Sequence, residues 1–258
     1  RFIPSNAIMN AQDPFNSCTG LNSITFSEKV TKIGNGVFAN CTGLETIDIP
    51  SNIKTIGKEA FKNCRNLASV IFHEGLEVIE DGAFNDCDAL TSITIPNSVV
   101  SIGSRDLSSN AFGTFAGCDN LKTVALNNSL TCIPSFAFYD CKKLESINIP
   151  IDLIEIGYCA FMQCQKITGD IVLPEGTTYI GSNAFAATNI TSIKIPRTMV
   201  SFSVNALCLN ENLKKVIIPS LEQWCTQIDF GHGPGGAYGY LYYRPSGPLH
   251  YASLYLEG

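Results

Sequence analysis

The sequence predicts a repeat solenoid, a fold in which short units of similar sequence stack along one axis. Three observations predict it: a cysteine recurs at fixed spacing, a phenylalanine precedes it by three residues, and an apolar set follows it. These cysteines lie 23 residues apart, with one step of 31, and are Cys18, Cys41, Cys64, Cys87, Cys118, Cys141 and Cys164. The matching phenylalanines are Phe15, Phe38, Phe61, Phe84, Phe115, Phe138 and Phe161. We count nine such units between Cys18 and Pro219, with a partial unit before them.

Each 23-residue unit predicts the same short elements in the same order. In the unit that follows Cys41, the segment 44–49 alternates apolar and polar residues at its end, which is typical of a half-buried strand. Pro50 ends the strand pairing and turns the chain, and Gly57 closes a second short extended segment. The segment 60–64 is predicted to form a single helical or 3-10 turn that points an alanine, a phenylalanine and the cysteine inward.

Stacking allows these units to bury an apolar face that no unit can bury alone. Identical positions then form columns along the axis, and strands of neighbouring units pair in parallel at about 4.8 Å. We therefore expect one solenoid over residues 1–219. Residues 220–258 differ in composition, because they contain the only tryptophan, Trp224, and six of the nine tyrosines. We expect this segment to cap the open apolar end or to form a module between repeats, and an aromatic binding platform is the alternative.

Charge and hydropathy exclude several functional classes. The net charge is −6 and the basic residues form no cluster, so nucleic acid and anionic membrane surfaces are poor candidate partners. No apolar run approaches the length of about 18 residues that a transmembrane helix needs. The N-terminus carries no recognisable export signal, so we expect any such signal to lie outside this sequence.

The cysteine column allows two interpretations: a disulfide ladder or metal string, and a set of buried thiols. Thr188 and Asn210 occupy the column in the last two units, and cysteines in adjacent coils point alike, which is poor geometry for a disulfide. No cysteine pair has the spacing of a zinc site. The sequence therefore favours buried thiols that bond backbone groups of the turn, with neither a metal nor a cofactor.

Catalytic residues are not indicated. The three histidines are His73, His232 and His250, and His73 occupies the proline position after a strand, as a turn residue would. A Cys225–His232 pair could serve as nucleophile and base, but no third group is present to orient the histidine. The repeats show no sign that two carboxylates converge on one pocket. We therefore expect that the protein is not an enzyme.

The repeat resembles the BspA-like leucine-rich repeats over about residues 3–219. The shared pattern is F-x-x-C-x-x-L-x-x-I-x-I-P-x-x-V-x-x-I-G-x-x-A-F. Residues 220–231 and 248–258 also resemble a module that is interleaved with repeats in that family. The resemblance implies a leucine-rich-repeat horseshoe, an α/β fold of mostly short parallel strands. It also implies a cell-surface or secreted protein of a host-associated bacterium or a protozoan, with host matrix proteins or other cells as partners of some members.

Two exterior features are candidate binding sites. The first is the outward column between the two strand isoleucines, which would line the strand face, the concave face in a leucine-rich horseshoe. Its members are Thr25, Asp48, Ile71, Thr94, Ala125, Asn148, Val172, Lys194 and Ile217. This mixture of polar and apolar side chains suits a protein or glycan ligand, and a solvated face without a ligand is the alternative.

The second candidate is an insertion in the fifth unit, which is 31 residues long where its neighbours have 23. Insertions in solenoids emerge as loops on one edge, often beside a binding surface, although a tolerated surface bulge is the alternative. The candidate loop residues are Arg105, Asp106, Leu107 and Asn110.

These features favour an extracellular recognition or adhesion scaffold that binds host or neighbouring-cell proteins or glycans through the strand face and loops. The alternative is a structural spacer or self-assembly module of a longer surface protein, without a ligand of its own.

Overall fold

Two short strands recur in each coil of the protein. The computed structural model describes residues 2–3, 15–104, 113–203, 205–226 and 253–256, with the backbone alone for 2–3 and 225–226. The first strand of each coil belongs to the set β1 Phe2–Ile3, β2 Thr25–Phe26, β4 Thr46–Ile49, β6 Ser69–Phe72, β8 Ser92–Thr94, β10 Thr123–Ala125, β12 Ser146–Ile147, β14 Thr168–Val172, β16 Asn189–Lys194, β18 Lys215–Ile218 and β19 Ser253–Leu256. The second strand belongs to the set β3 Lys32–Ile33, β5 Thr55–Ile56, β7 Val78–Ile79, β9 Ser101–Ile102, β11 Cys132–Ile133, β13 Glu155–Ile156, β15 Tyr179–Ile180 and β17 Ser201–Phe202.

Each of these strands pairs in parallel with the equivalent strand of at least one neighbouring coil. The register joins matching positions of the repeat, as when Ile47 lies opposite Val70 and Ile56 opposite Ile79. The first strands form the runs β1–β2, β4–β6, β8–β10–β12 and β14–β16–β18–β19, and we call their outer surface the strand face. The second strands form the runs β3–β5–β7–β9 and β11–β13–β15–β17, which we call the second sheet, and the insertion of the 31-residue unit lies between β9 and β11 along the chain. The predicted parallel solenoid with a repeat of 23 residues is confirmed.

The turn after the second strand is not helical, although the sequence predicts a single helical or 3-10 turn there. In the segment 58–64, Lys62 N–H donates to Glu59 O and Cys64 N–H donates to Phe61 O, which are the bonds of two successive β-turns. Glu59 and Asn63 have φ of 53° and 58°, and a helix cannot continue through residues in this left-handed region. Consecutive turns therefore reverse the chain in little space and bring the phenylalanine and cysteine inward.

The core consists of columns of identical side chains, of which the phenylalanine column is the largest. Phe38 and Phe61 stack with centroids 5.3 Å apart, Phe61 and Phe84 with centroids 5.2 Å apart, and the planes of each pair differ by less than 20°. The same stacking continues through Phe115, Phe138, Phe161 and Phe185. Each fully buried ring contributes about 1.5–3 kcal/mol relative to exposure. The stacked columns thus supply most of the stabilisation that holds the coils together.

The C-terminal segment begins with the helix α1, Leu221–Thr226, and this is the one α-helix among the described residues. Ser220 caps it, because its Oγ accepts a hydrogen bond from the Gln223 N–H. Trp224 is buried against Phe202, with ring centroids 5.6 Å apart, at the end of the column of second-strand side chains. Strand β19 then adds to the strand face by pairing with β18. The described parts of this segment therefore contact the last coils, and both the interpretation of residues 220–258 as a cap and the domain boundary at residue 219 stay predictions.

Candidate functional site

The strand face presents alternate residues of each first strand to solvent. In β4, Ile47 and Ile49 are buried, whereas Thr46 and Asp48 are exposed, as the pleat of a strand requires. Every coil therefore contributes two outward positions, and the ladder pairing lines them up in two adjacent columns.

The predicted column lies along this face. Its exposed members are Thr25, Asp48, Ile71, Thr94, Ala125, Asn148 and Val172, and its half-buried members are Lys194 and Ile217. The register places Asp48 beside Ile71, and Val172 beside Lys194. Strand β19 adds Tyr255 next to Ile217, a neighbour that the repeat pattern did not predict because no repeat motif surrounds it. The structure thus brings these side chains onto one surface, and their part in binding stays a prediction.

A second outward column consists mainly of hydroxyl side chains, and sequence reasoning missed it. In five successive coils its exposed members are Thr46, Ser69, Ser92, Thr123 and Ser146. The signal was present in the sequence as a serine or threonine directly before the first strand isoleucine or valine of each unit. Asp170, Ser192, Lys215 and Ser253 continue the same column, so two charged groups alternate with hydroxyls in these coils.

A β-bulge fixes the first charged group of this column. The register of β14 against β16 shifts between Gly169 and Asp170, and Asp170 Oδ1 accepts hydrogen bonds from Ser192 Oγ at 2.6 Å and Thr191 Oγ1 at 3.0 Å. These two hydrogen bonds, with the nearby Lys215 ammonium, lower the pKa of the Asp170 carboxyl. Asp170 is therefore a fixed negative charge, and bulges of this kind often reorient side chains beside functional sites.

The two ends of the strand face differ in charge. At one end, Asp48 Oδ1 lies 2.8 Å from His73 Nε2. At the other end, Lys194 and Lys215 are on the face, and Lys215 Nζ lies 5.3 Å from the centroid of the Tyr255 ring. A cation over an aromatic ring is a favourable contact that orders both side chains. A partner that crosses the whole face would thus meet the Asp48–His73 pair near one end, and Lys194 and Lys215 with Asp170 near the other.

The exposed Asn148 side chain forms hydrogen bonds with the neighbouring coil. Its Oδ1 accepts the Leu126 N–H and its Nδ2 donates to the Leu126 carbonyl, both at 2.7 Å. The amide of Asn148 therefore replaces a missing backbone partner for the preceding strand. Because its amide is already hydrogen-bonded to the Leu126 backbone, Asn148 is a weaker candidate for ligand contact than its neighbours in the column.

The cysteine column is structural. Each thiol from Cys41 onward donates to the carbonyl of the phenylalanine in the preceding coil, as Cys64 does to Phe38 O at 3.1 Å. Thr188 and Asn210 bond the Phe185 carbonyl in the same column. Burial raises the pKa of Cys64 to about 12, and none of the ten cysteines whose side chains are described forms a disulfide. The interpretation as buried thiols that bond the turn backbone is confirmed.

The part of the chain that the structure describes contains no group of three or more His, Cys, Asp or Glu side chains that could hold a metal ion. The Cys225 thiol and His232, the pair considered as nucleophile and base, lie outside the described side chains.

The BspA type leucine-rich repeat region, in six copies, matches residues 3–112 and 108–228. The chain belongs to the BspA-type leucine-rich repeat family. A leucine-rich repeat protein from Bacteroides ovatus is 30% identical with a TM-score of 0.67, over 82% of this chain and 58% of that one. The T. pallidum leucine-rich repeat protein is 28% identical with a TM-score of 0.55, over 64% of this chain and 75% of that one.

This BspA-type chain spans 58% of the length of the Bacteroides ovatus protein. The comparison with curated proteins gives no match. Within the described part of the BspA-type array, no helix is long and apolar enough to cross a bilayer.

The insertion of this BspA-type array is anchored at both ends. Ser104 N–H donates to Asp81 Oδ1 at 2.6 Å, and the buried Thr114 Oγ1 donates to the Ile102 carbonyl at 3.0 Å. The candidate loop residues lie outside the described residues, and they are Arg105, Asp106, Leu107 and Asn110. Their part in binding stays a prediction.

Proposed function

We propose that this chain is an extracellular recognition scaffold that binds protein or glycan partners through the strand face. Its family and fold are those of a leucine-rich repeat scaffold, which is consistent with protein binding or a structural role. The observation that carries the proposal is the continuous pair of outward columns, one rich in hydroxyls and one varied. Such a face offers many hydrogen-bonding groups on a backbone that is already ordered, so little conformational entropy is lost on binding.

Ile71 and Val172 are the candidate apolar anchors of this face. Their side chains are 52% and 61% exposed, although the inward neighbours of both are packed in the core. Interfaces gain most of their affinity from a few such side chains, surrounded by polar contacts that contribute less. The hydroxyl column and the fixed Asp170 carboxylate supply those polar contacts.

The location we propose is the cell surface or the secreted fraction, with host matrix proteins or neighbouring cells as partners. Support comes from family membership and from the strand face, whose chemistry suits adhesion. A structural spacer without a ligand is the competing function, and the experiment below separates the two.

The test is binding of the folded chain to a panel of immobilised extracellular matrix proteins and to a glycan array. The strand-face variants Ile71→Arg and Val172→Arg should each weaken a positive interaction at least tenfold, because a charge would replace a buried apolar contact. Asn128→Arg, at an exposed turn position away from the strand face, is the matched control and should bind like the parent chain.

Two results would count against recognition through this face. If the folded protein bound nothing on the whole panel, the result would favour a structural spacer without a ligand. Binding that survives both strand-face variants would place the interaction on another surface.

A further inference from the structure

A ridge of β-branched side chains runs along the solenoid outside the strand face. It is formed by the residue directly before a strand of the second sheet in five successive coils, namely Val100, Thr131, Ile154, Thr178 and Val200. Val100, Ile154 and Val200 are 62%, 38% and 59% exposed, and Ile151 in the adjoining proline turn is 67% exposed. A contiguous apolar patch on a protein surface usually marks an interaction site.

The same column is charged in the earlier coils. Lys54 and Glu77 occupy it there and form an ion pair, with 3.6 Å between Nζ and Oε1. Lys58 and Asp81 form a second pair beside it at 3.2 Å. The apolar surface thus begins at Val100 and is confined to the later coils, although the repeat accepts charge at this position.

We propose that this ridge is a self-association surface, on which a second copy of the chain docks through its own ridge. Backbone hydrogen bonds of 2.8–2.9 Å join Ile154 N–H to Thr131 O, Thr178 N–H to Ile154 O and Val200 N–H to Thr178 O. This ladder sets the spacing of the side chains from Thr131 to Val200 at about 4.8 Å. The coil of Val100 stacks on the coil of Thr131 through the pairing of β8 with β10, which gives the same step. In an extended peptide, residues on the same side are about 6.8 Å apart, so this spacing does not match the spacing of about 4.8 Å between the ridge side chains. The ridge of a second copy has the same side-chain spacing, so the two ridges can match residue by residue along their whole length.

The order of the ridge residues supports a two-fold arrangement. Valine, threonine, isoleucine, threonine and valine appear in the same order from either end, with Ile154 at the centre. A two-fold axis through Ile154 would bring Val100 of one copy to Val200 of the other, and Thr131 to Thr178. Each residue would thereby meet one of matching size and polarity, as a two-fold interface requires.

The expected association is weak. Five coils at about 4.8 Å give a ridge about 20 Å long, so each copy would bury well under the roughly 800 Å² typical of a stable interface. Glu155, the first residue of strand β13, directly follows Ile154, so a two-fold axis through Ile154 would also bring the two Glu155 residues near each other. Their repulsion lowers the affinity further and should be relieved by salt or by neutralising the side chain.

Self-association through the ridge would leave the strand face open. The ridge borders the second sheet, and the strand face belongs to the first strands, so a dimer would carry two strand faces. If the strand face binds a partner as proposed above, two linked faces would raise the apparent affinity for a multivalent surface. Dimer formation itself does not depend on that function.

The test is sedimentation velocity of the whole chain from about 10 µM to about 1 mM, the range in which so small an interface should assemble. We expect a concentration-dependent dimer that Ile154→Lys and Val200→Lys each weaken at least tenfold. Glu155→Gln should strengthen it several-fold. Val172→Lys places the same charge on a comparably exposed valine of the strand face, and should leave the dimer unchanged. Circular dichroism and urea unfolding would confirm that each exposed substitution leaves the fold intact.

Three results would overturn the proposal. They are a monomer at every concentration, a dimer that persists in both lysine variants of the ridge, and a dimer that Val172→Lys abolishes. A dimer that Glu155→Gln weakens would overturn the two-fold arrangement centred on Ile154.

Discussion

Replacing Phe138 with alanine should remove one ring from the middle of the phenylalanine stack and lower the free energy of unfolding by about 4–5 kcal/mol. Phe138 is fully buried, and its ring lies 5.6 Å from both Phe115 and Phe161, with planes that differ by only 5° and 6°. Truncation of a buried phenylalanine alone costs about 3–5 kcal/mol. Each stacked pair adds about 0.5–1.5 kcal/mol, so loss of two pairs places the effect at the upper end of that range.

Phe15 provides the matched control within the same column. Its ring stacks on one neighbour, Phe38, at 5.6 Å, and it is only partly buried. Phe15→Ala should therefore cost about half as much, near 2 kcal/mol. Phe138→Leu keeps most of the apolar volume and loses the ring stacking, so it should cost about 1–2 kcal/mol.

Urea unfolding measures these differences. With a slope of about 3 kcal/mol per molar urea, Phe138→Ala should lower the midpoint by more than about 1 M. Long repeat arrays can unfold in parts, so circular dichroism of the whole chain should be compared with fluorescence of Trp224, which packs on Phe202 near the C-terminal end. The column argument fails if Phe138→Ala costs no more than Phe15→Ala.

Three further predictions concern close coil packing, a buried amide and the thiol column. Gly157→Ala should destabilise the protein by about 1–3 kcal/mol, because a Cβ there would lie 2.4 Å from Ser135 N. Asn127→Ala should cost about 2–3 kcal/mol, because the buried Asn127 amide donates to two carbonyls of the preceding proline turn. Folding raises the pKa of Cys64 from 9.0 to about 12, so the unfolded chain loses its thiol protons first as pH rises. The contribution of Cys64 to the free energy of unfolding should therefore stay constant below about pH 9 and decrease between about pH 9 and pH 12.

Urea midpoints check all three. Gly157→Ala with an unchanged midpoint would mean that the coils can separate at little cost. Asn127→Ala is compared with Asn128→Ala at the neighbouring exposed position, and equal midpoints would contradict the role of the buried amide. For the pH effect, Cys64→Thr is the control, since Thr188 already occupies the same column, and it should show a smaller loss of stability at alkaline pH. An equal loss would assign the alkaline transition to other groups.

Most of the architecture could be predicted because it depends on spacing alone. Residues that recur every 23 positions, such as Phe38 and Phe61, must occupy equivalent places if one coil stacks on the next, and they do. The outward column was likewise placed by the alternation of Ile47, Asp48 and Ile49. The hydroxyl column was equally visible in the sequence. It was missed because exposed serine and threonine are common in any sequence. Only the strand register between coils shows that these residues form one column.

The turn and the chemistry of the face could not be predicted in the same way. The spacing of the inward-facing phenylalanine and cysteine favoured a helical turn. The left-handed φ of Glu59 and Asn63 is instead imposed by hydrogen bonds to the next coil, as when Asn63 N–H donates to Asn85 O. Asn148 was expected to face a ligand, yet the neighbouring strand occupies its amide. Both outcomes depend on contacts between coils rather than on local sequence.

The sequence by itself determined that this chain is a parallel solenoid with a core of phenylalanine, cysteine and aliphatic columns. A repeating apolar pattern has one low-energy solution, which is to stack equivalent side chains and remove them from water. Only the tertiary structure decided which exterior side chains are free for a partner and which are used internally, and where the apolar ridge lies beside charged coils. Those features arise between residues of different coils, and the energy of each contact depends on the distance and direction that the stacking sets.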